Sequence, residues 1–176
     1  MESSNFDLEG RLCAAADRRV VTAPLDLLAF IGEQMDFLTD TVGPDLKIVV
    51  NDYGRGFKVL AETVMLQLAL FEILINARTS MPNGGTVTFT IVPLVIKEDI
   101  FLHDGDYMRM SIRDKGIGFS VAALANVFRD SGARDKRSGL VGVAENLEGW
   151  GGAVRVTARR SRGTTVHLYL RRAIIH

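Results

Sequence analysis

The chain predicts an α+β two-layer sandwich, a mixed and mostly antiparallel sheet with helices on one face. Three observations predict it. Runs rich in β-branched residues fall in pairs along the chain. Apolar runs of helical period separate those pairs. No repeat, low-complexity tract or long linker divides the 176 residues, a length that suits one domain of roughly 100–200 residues.

The elements follow in order. Residues 1–8 are polar, and 8–19 suit a short helix with Leu12, Ala15 and Ala16 together. Residues 1–20 are set apart as the end of a linker or dimerisation helix, and 21–176 as the domain proper. Thr22-Ala-Pro24 breaks the first helix. Pro24 is then placed in the first turn of a second, where its missing N–H costs nothing. Leu25, Leu28, Ile31, Met35 and Leu38 carry that helix to Gly43-Pro44. Residues 46–50 and 57–60 read as strands joined by Asn51-Asp-Tyr-Gly54. Residues 62–81 form the longest helix, apolar around most of its circumference and so expected buried. Pro82-Asn-Gly-Gly85 stops it. Strands are expected at 86–92 and 107–113, with a loop at 94–106. Along 107–113, Met108, Met110 and Ile112 share a face that Asp114 continues. A short helix at 121–128, a polar loop at 129–138 and a helix at 139–150 follow. Strands at 153–157 and 164–170 close the chain around the basic turn Arg159-Arg-Ser-Arg-Gly163.

Composition excludes several classes. Lys+Arg and Asp+Glu are both 21, which argues against a bulk nucleic-acid binder. The single cysteine, Cys13, fits a reducing, cytoplasmic compartment. The longest apolar run, 64–75, is broken by Gln67 and Glu72. It is too short and polar for a membrane span, so no membrane contact is expected. No basic-then-apolar leader opens the sequence.

Three stretches carry candidate chemistry. In Phe71-Glu-Ile-Leu-Ile-Asn-Ala-Arg78, Glu72 and Asn76 lie one turn apart on one helix face. An amide oxygen is a hard ligand suited to Mg²⁺ between phosphates, and a carboxylate can orient a nucleophile. The plainer reading is two polar residues at the solvent edge of a core helix. In Arg113-Asp-Lys-Gly-Ile-Gly-Phe119, the Asp114 carboxylate can accept a hydrogen bond from an exocyclic amine. Gly116 and Gly118 allow a ligand close to the backbone. An ordinary strand-to-loop turn is the alternative. In Ser138-Gly-Leu-Val-Gly-Val-Ala-Glu-Asn146, a glycine loop opens a helix and offers N–H groups to phosphate. Arg129, Arg134, Lys136 and Arg137 precede it, either as phosphate contacts or as an exposed charged loop.

In order and register these stretches resemble the ATP-binding domain of sensor histidine kinases, in the superfamily shared with gyrase, Hsp90 chaperones and MutL. The first resembles the N box and runs on into Asn-Ala-Arg-x-x-Met-Pro-x-Gly-Gly. The second resembles the G1 box, and the third the G2 region of the nitrate-sensor-like branch. Gly-Gly-Ala-Val-Arg-Val followed by Arg-Gly-Thr-Thr-Val-His-Leu-Tyr-Leu170 is similar to the family's closing hairpin. The resemblance covers about residues 20–172 and implies the Bergerat ATP-binding fold, with ATP and Mg²⁺ as cofactors.

It also implies roles. Asn76 would coordinate Mg²⁺, and Glu72 would act on or hold the attacking group. Asp114 would recognise the adenine amine, with Thr164 supporting it through a water. Gly116 and Gly118 would let the nucleotide lie against the chain. Gly139 and Gly142 would face the phosphates, with Lys136 and Arg137 at the end of a 129–138 lid. Two departures stand out. Arg137 replaces the first glycine of Gly-x-Gly-Leu, and the Phe-Phe-Thr-x-Lys run is absent.

No histidine precedes His103, so the phosphoacceptor is expected on a histidine-containing dimerisation domain outside these residues, in cis or in trans, with a response regulator downstream. Two alternatives remain. One is a degenerate module of the same fold acting through protein contacts. The other is an anti-sigma-factor-type serine kinase.

Overall fold

A computed structural model describes residues 22–54, 56–118, 139–159 and 162–174. Among them, β1 (Ala23–Asp26), α1 (Leu27–Glu33), α2 (Met35–Val42), β2 (Leu46–Asp52), β3 (Lys58–Ala61), α3 (Thr63–Ser80), β4 (Gly85–Ile96), β5 (Gly105–Arg113), α4 (Gly139–Gly149), β6 (Ala153–Arg159) and β7 (Gly163–Arg171) follow in order. The predicted helices at 8–19 and 121–128 lie outside the described residues.

The main sheet has five strands in the order β2-β4-β5-β7-β6, parallel at β2–β4 and antiparallel elsewhere. A parallel pair needs a crossover connection, and α3 supplies it. The sheet is therefore mixed and mostly antiparallel, as the sequence predicts. Alternation fixes which face is buried. Val87, Phe89, Ile91, Met108, Met110, Ile112, Val166 and Leu168 point to the helices and form one core with Leu66, Leu70, Leu74, Val143 and Leu147. Truncating one such leucine costs about 2–5 kcal/mol. A smaller cluster of Ile96, Leu102, Tyr107, Ala153 and Tyr169 covers one end of the opposite face.

The start of the domain differs from expectation. Pro24 lies in β1, which pairs antiparallel with β3 in a separate two-stranded sheet, not in a helix. The helix begins at Leu27 because Asp26 is the better cap. Its Oδ1 accepts Leu28 N at 3.0 Å and Ala29 N at 3.1 Å. Proline is tolerated in so short an edge pair, where a missing donor is cheap. The two strands expected within 46–60 are present as β2 and β3, and they pair apart, β2 with β4 and β3 with β1. Helix α3 matches its predicted span. Glu62 caps it through bonds to Val64 N and Met65 N. Strand β4 runs past the expected end, through Pro93 to Ile96.

Candidate functional site

Strand β5 delivers Asp114 to the helix side of the sheet. Its buried row Met108, Met110, Ile112 is continued by Asp114, whose residue exposure is 7%. The carboxylate is held from three directions. Oδ1 accepts Gly116 N at 2.8 Å and Thr164 N at 3.1 Å, and Ser80 Oγ stands 3.3 Å away. Asp114 N in turn donates to Thr164 O at 3.0 Å. Oδ1 is thus saturated, while Oδ2 receives no hydrogen bond among the described residues. Beside it Thr164, 6% exposed, buries an Oγ1 with no partner there. Buried polar atoms are nearly always hydrogen-bonded. A spare carboxylate oxygen next to a spare hydroxyl therefore fits a ligand edge carrying a donor, either directly or through a water.

Helix α3 closes this corner. Ser80 is 6% exposed and its Oγ donates to Ala77 O at 2.9 Å. Ile117 N donates to Ser80 O at 3.1 Å. A Cβ on Gly116 would meet Ser80 Oγ at 2.3 Å and Ser80 O at 2.5 Å. The crowding at Gly116 thus comes from α3, and the glycine lets the 114–118 loop seat on the helix end. Gly163 is as tightly placed. A Cβ there would fall 2.1 Å from Asp114 O, and its φ is +86°, a region most side chains avoid. Ser80 and Gly163 escape the sequence reading. Ser80 had a signal, since Glu72, Asn76 and Ser80 recur every four residues as the polar stripe of an apolar helix.

Glu72 and Asn76 are both half-buried on that stripe. Along the helix, Asn76 is about 6 Å and Glu72 about 12 Å from Ser80, at 1.5 Å per residue. Gly118 has a φ of 63°. Gly139 opens α4 with a φ of +80°, and among the described residues nothing lies within 4 Å of an added Cβ. Gly142 is buried in the next turn, and α4 packs against α3. Lys136, Arg137 and the rest of 129–138 lie outside the described residues. Among the described residues no three His, Cys, Asp or Glu side chains gather to hold a metal by themselves. The Asn76 and Glu72 oxygens suit a hard cation that takes its other ligands from phosphates and water.

The model of the histidine kinase-, DNA gyrase B- and HSP90-like ATPase family matches residues 61–174, which include all three motifs. The chain belongs to this ATPase family. Two kinases are among the proteins it resembles. It is 25% identical over 177 residues to sensor kinase CckA of Brucella abortus, covering 93% of this chain and 19% of that protein. It is 28% identical over 115 residues to sporulation kinase E of Bacillus subtilis, covering 64% and 14%. The chain thus spans a fifth or less of the length of either kinase. Two solved structures share the fold. The mycobacterial sensor histidine kinase MprB superposes with a TM-score of 0.63 at 22% identity, over 88% of this chain and 100% of that one. Full-length ShkA in complex with AMPPNP gives 0.67 at 19%, over 92% and 34%. At these identities the likeness to the two structures is one of fold. No helix among its described residues is long and apolar enough to cross a membrane.

Proposed function

We propose that this ATPase domain is the catalytic part of a two-component sensor histidine kinase, holding Mg-ATP and presenting the γ-phosphoryl group to a histidine outside these 176 residues. The observation that carries the reading is the saturated Oδ1 of Asp114, with Oδ2 and the buried Thr164 hydroxyl taking no hydrogen bond among the described residues. Oδ2 accepts the adenine amine, and Thr164 Oγ1 supports the base through a water. Gly116 and Gly118 shape the loop under the base. Asn76 and Glu72 lie further along α3, toward the phosphates. Asn76 offers its amide oxygen to Mg²⁺, and Glu72 holds the incoming imidazole or accepts its proton. Gly139 and Gly142 at the start of α4, with Lys136 and Arg137, meet the triphosphate.

The bound metal would neutralise phosphate charge. The chain's own work is positioning and electrostatics, as in phosphoryl transfer generally. A histidine-bearing dimerisation domain is the partner, a response regulator takes the phosphoryl group onward, and the cytoplasm supplies the ATP. In this reading residues 1–20 are the end of a linker or dimerisation helix, and the catalytic domain runs from about residue 21.

Thermal melting with and without Mg-ATP tests the binding step. A rise in midpoint that Asn76→Asp and Asp114→Asn both abolish is expected. Radiolabelled ATP with a partner hairpin then gives acid-labile phosphohistidine, whereas an acid-stable product marks a serine kinase. Arg137 in place of a glycine favours a second reading, a domain of the same fold that works through protein contacts alone. The absence of any shift at millimolar Mg-ATP selects it.

A further inference from the structure

The sheet's open face, opposite the helices, bears on nothing proposed so far. Alternation sends Lys47 of β2, Arg109 and Arg113 of β5, Arg155 of β6 and Arg171 of β7 to that side. No strand position on it is acidic among the described residues. Asp99, from the loop after β4, pairs with Arg155. The face is thus strongly cationic in a chain whose overall charge is zero.

The register concentrates that charge. His167 lies directly across from Ser111 on β5 and from Arg155 on β6. Arg109 is one diagonal step away, about 7–8 Å between strand positions. Ser111 Oγ and His167 Nδ1 are 2.8 Å apart. Arg155 also lies over the Tyr169 ring, 5.1 Å from its centroid. Arg109 Nε is buried without an acceptor among the described residues. Burial first, then the positive fields of Arg109 and Arg155, hold the His167 imidazole below its ordinary pKa. Like charges packed this closely repel, and an acidic surface laid over them removes the repulsion.

We propose that the open face around Arg109, Arg113, Arg155 and Arg171 is a docking surface for an acidic protein partner, on the side of the sheet away from the nucleotide. Half-buried or exposed threonines of β4, β6 and β7 lie among the arginines on this face, which suits a protein surface. A nucleic-acid partner fits less well, because Asp99 and Asp104 lie close to Tyr107 at one end of the face.

The test uses the full chain, ¹⁵N-labelled and saturated with Mg-ATP, titrated with a synthetic oligoglutamate peptide and separately with random-sequence DNA. Shifts confined to open-face amides of β5, β6 and β7, with the His167 ring following, are expected. The Arg113→Gln/Arg171→Gln variant replaces two exposed side chains. It should melt as the parent does and bind oligoglutamate at least about tenfold more weakly, while Lys58→Gln on β3 changes nothing. Four results overturn the proposal: shifts on another surface, no binding, unchanged affinity in the double variant, or DNA bound more tightly than oligoglutamate.

Discussion

Replacing Asp114 by Asn isolates the adenine end of the site. Oδ1 already takes two backbone donors and a nearby hydroxyl, and an amide oxygen can take the same three, so the variant keeps the local packing. Bonds to a charged acceptor contribute about 1.5–3 kcal/mol and neutral ones about 0.5–1.5 kcal/mol. The weakening is partly offset because a buried charge disappears, leaving a stability loss of about 1–2 kcal/mol. At the other position the change is larger. Oδ2 accepts, whereas an amide nitrogen donates and would face the donating adenine amine. Losing a bond to a carboxylate and gaining a donor–donor clash costs about 3–4 kcal/mol of binding, or roughly two to three orders of magnitude in Kd. Inosine triphosphate carries a carbonyl where adenine carries its amine, so the same substitution should favour it. Calorimetric titration of Mg-ATP and Mg-ITP against both proteins reads out the reversal, with thermal melting as the fold control. A variant that melts cooperatively and binds ATP within about threefold of the parent, under half a log unit of Kd, refutes the assignment.

Three further predictions rest on separate geometry. Gly163→Ala drives a Cβ into Asp114 O at 2.1 Å and Lys115 Cα at 2.9 Å, both rigid backbone, at a φ of +86°. Overpacking and strain together should cost about 2–4 kcal/mol, seen as a lower urea midpoint, and an unchanged midpoint contradicts the packing. Asp26→Ala removes a cap with two backbone bonds and should cost about 1 kcal/mol, whereas Asp26→Asn should retain most of it. His167 has a folded pKa below its unfolded value of 6.5, so the unfolded chain binds the proton first. Its contribution is complete above pH 6.5 and is lost as pH falls through the folded pKa. Urea titrations on either side of that window should show the decline, and His167→Gln should flatten it. Equal slopes for parent and variant would remove His167 as the cause.

Much of this was legible in the sequence because period and burial coincide. Met108, Met110 and Ile112 are apolar every second residue, and one face of their strand is core, so the row predicts where Asp114 points. Helix α3 was legible from length and from the Pro82-Asn-Gly-Gly85 stop. Pro24 misleads because two local rules compete there. Proline favours a helix start, but Asp26 caps better and the strand partner, β3, lies more than thirty residues away. The same non-locality hides β2–β4 pairing and the closeness of Gly163 to Asp114, contacts that no local pattern encodes. The basic sheet face is hidden differently. Each arginine looks like an ordinary exposed residue until the register of β5, β6 and β7 sets them together.

Helix α3 works as a ruler between the two ends of the candidate site. Its Ser80 fixes the loop beneath Asp114, while Asn76 and Glu72 stand one and two turns back on the same stripe. Seven of its residues are buried, so the spacing is set by a core that would cost several kcal/mol to shift. The parts assigned to the base in the proposed reading come, among the described residues, from the end of β5, from β7 and from this helix. Arg137, the departure from the family pattern, precedes Gly139 by two residues in the sequence. In the proposed reading its effect falls on the triphosphate and on transfer, while adenine recognition is assigned to Asp114, whose anchors Gly116, Thr164 and Ser80 lie outside 129–138.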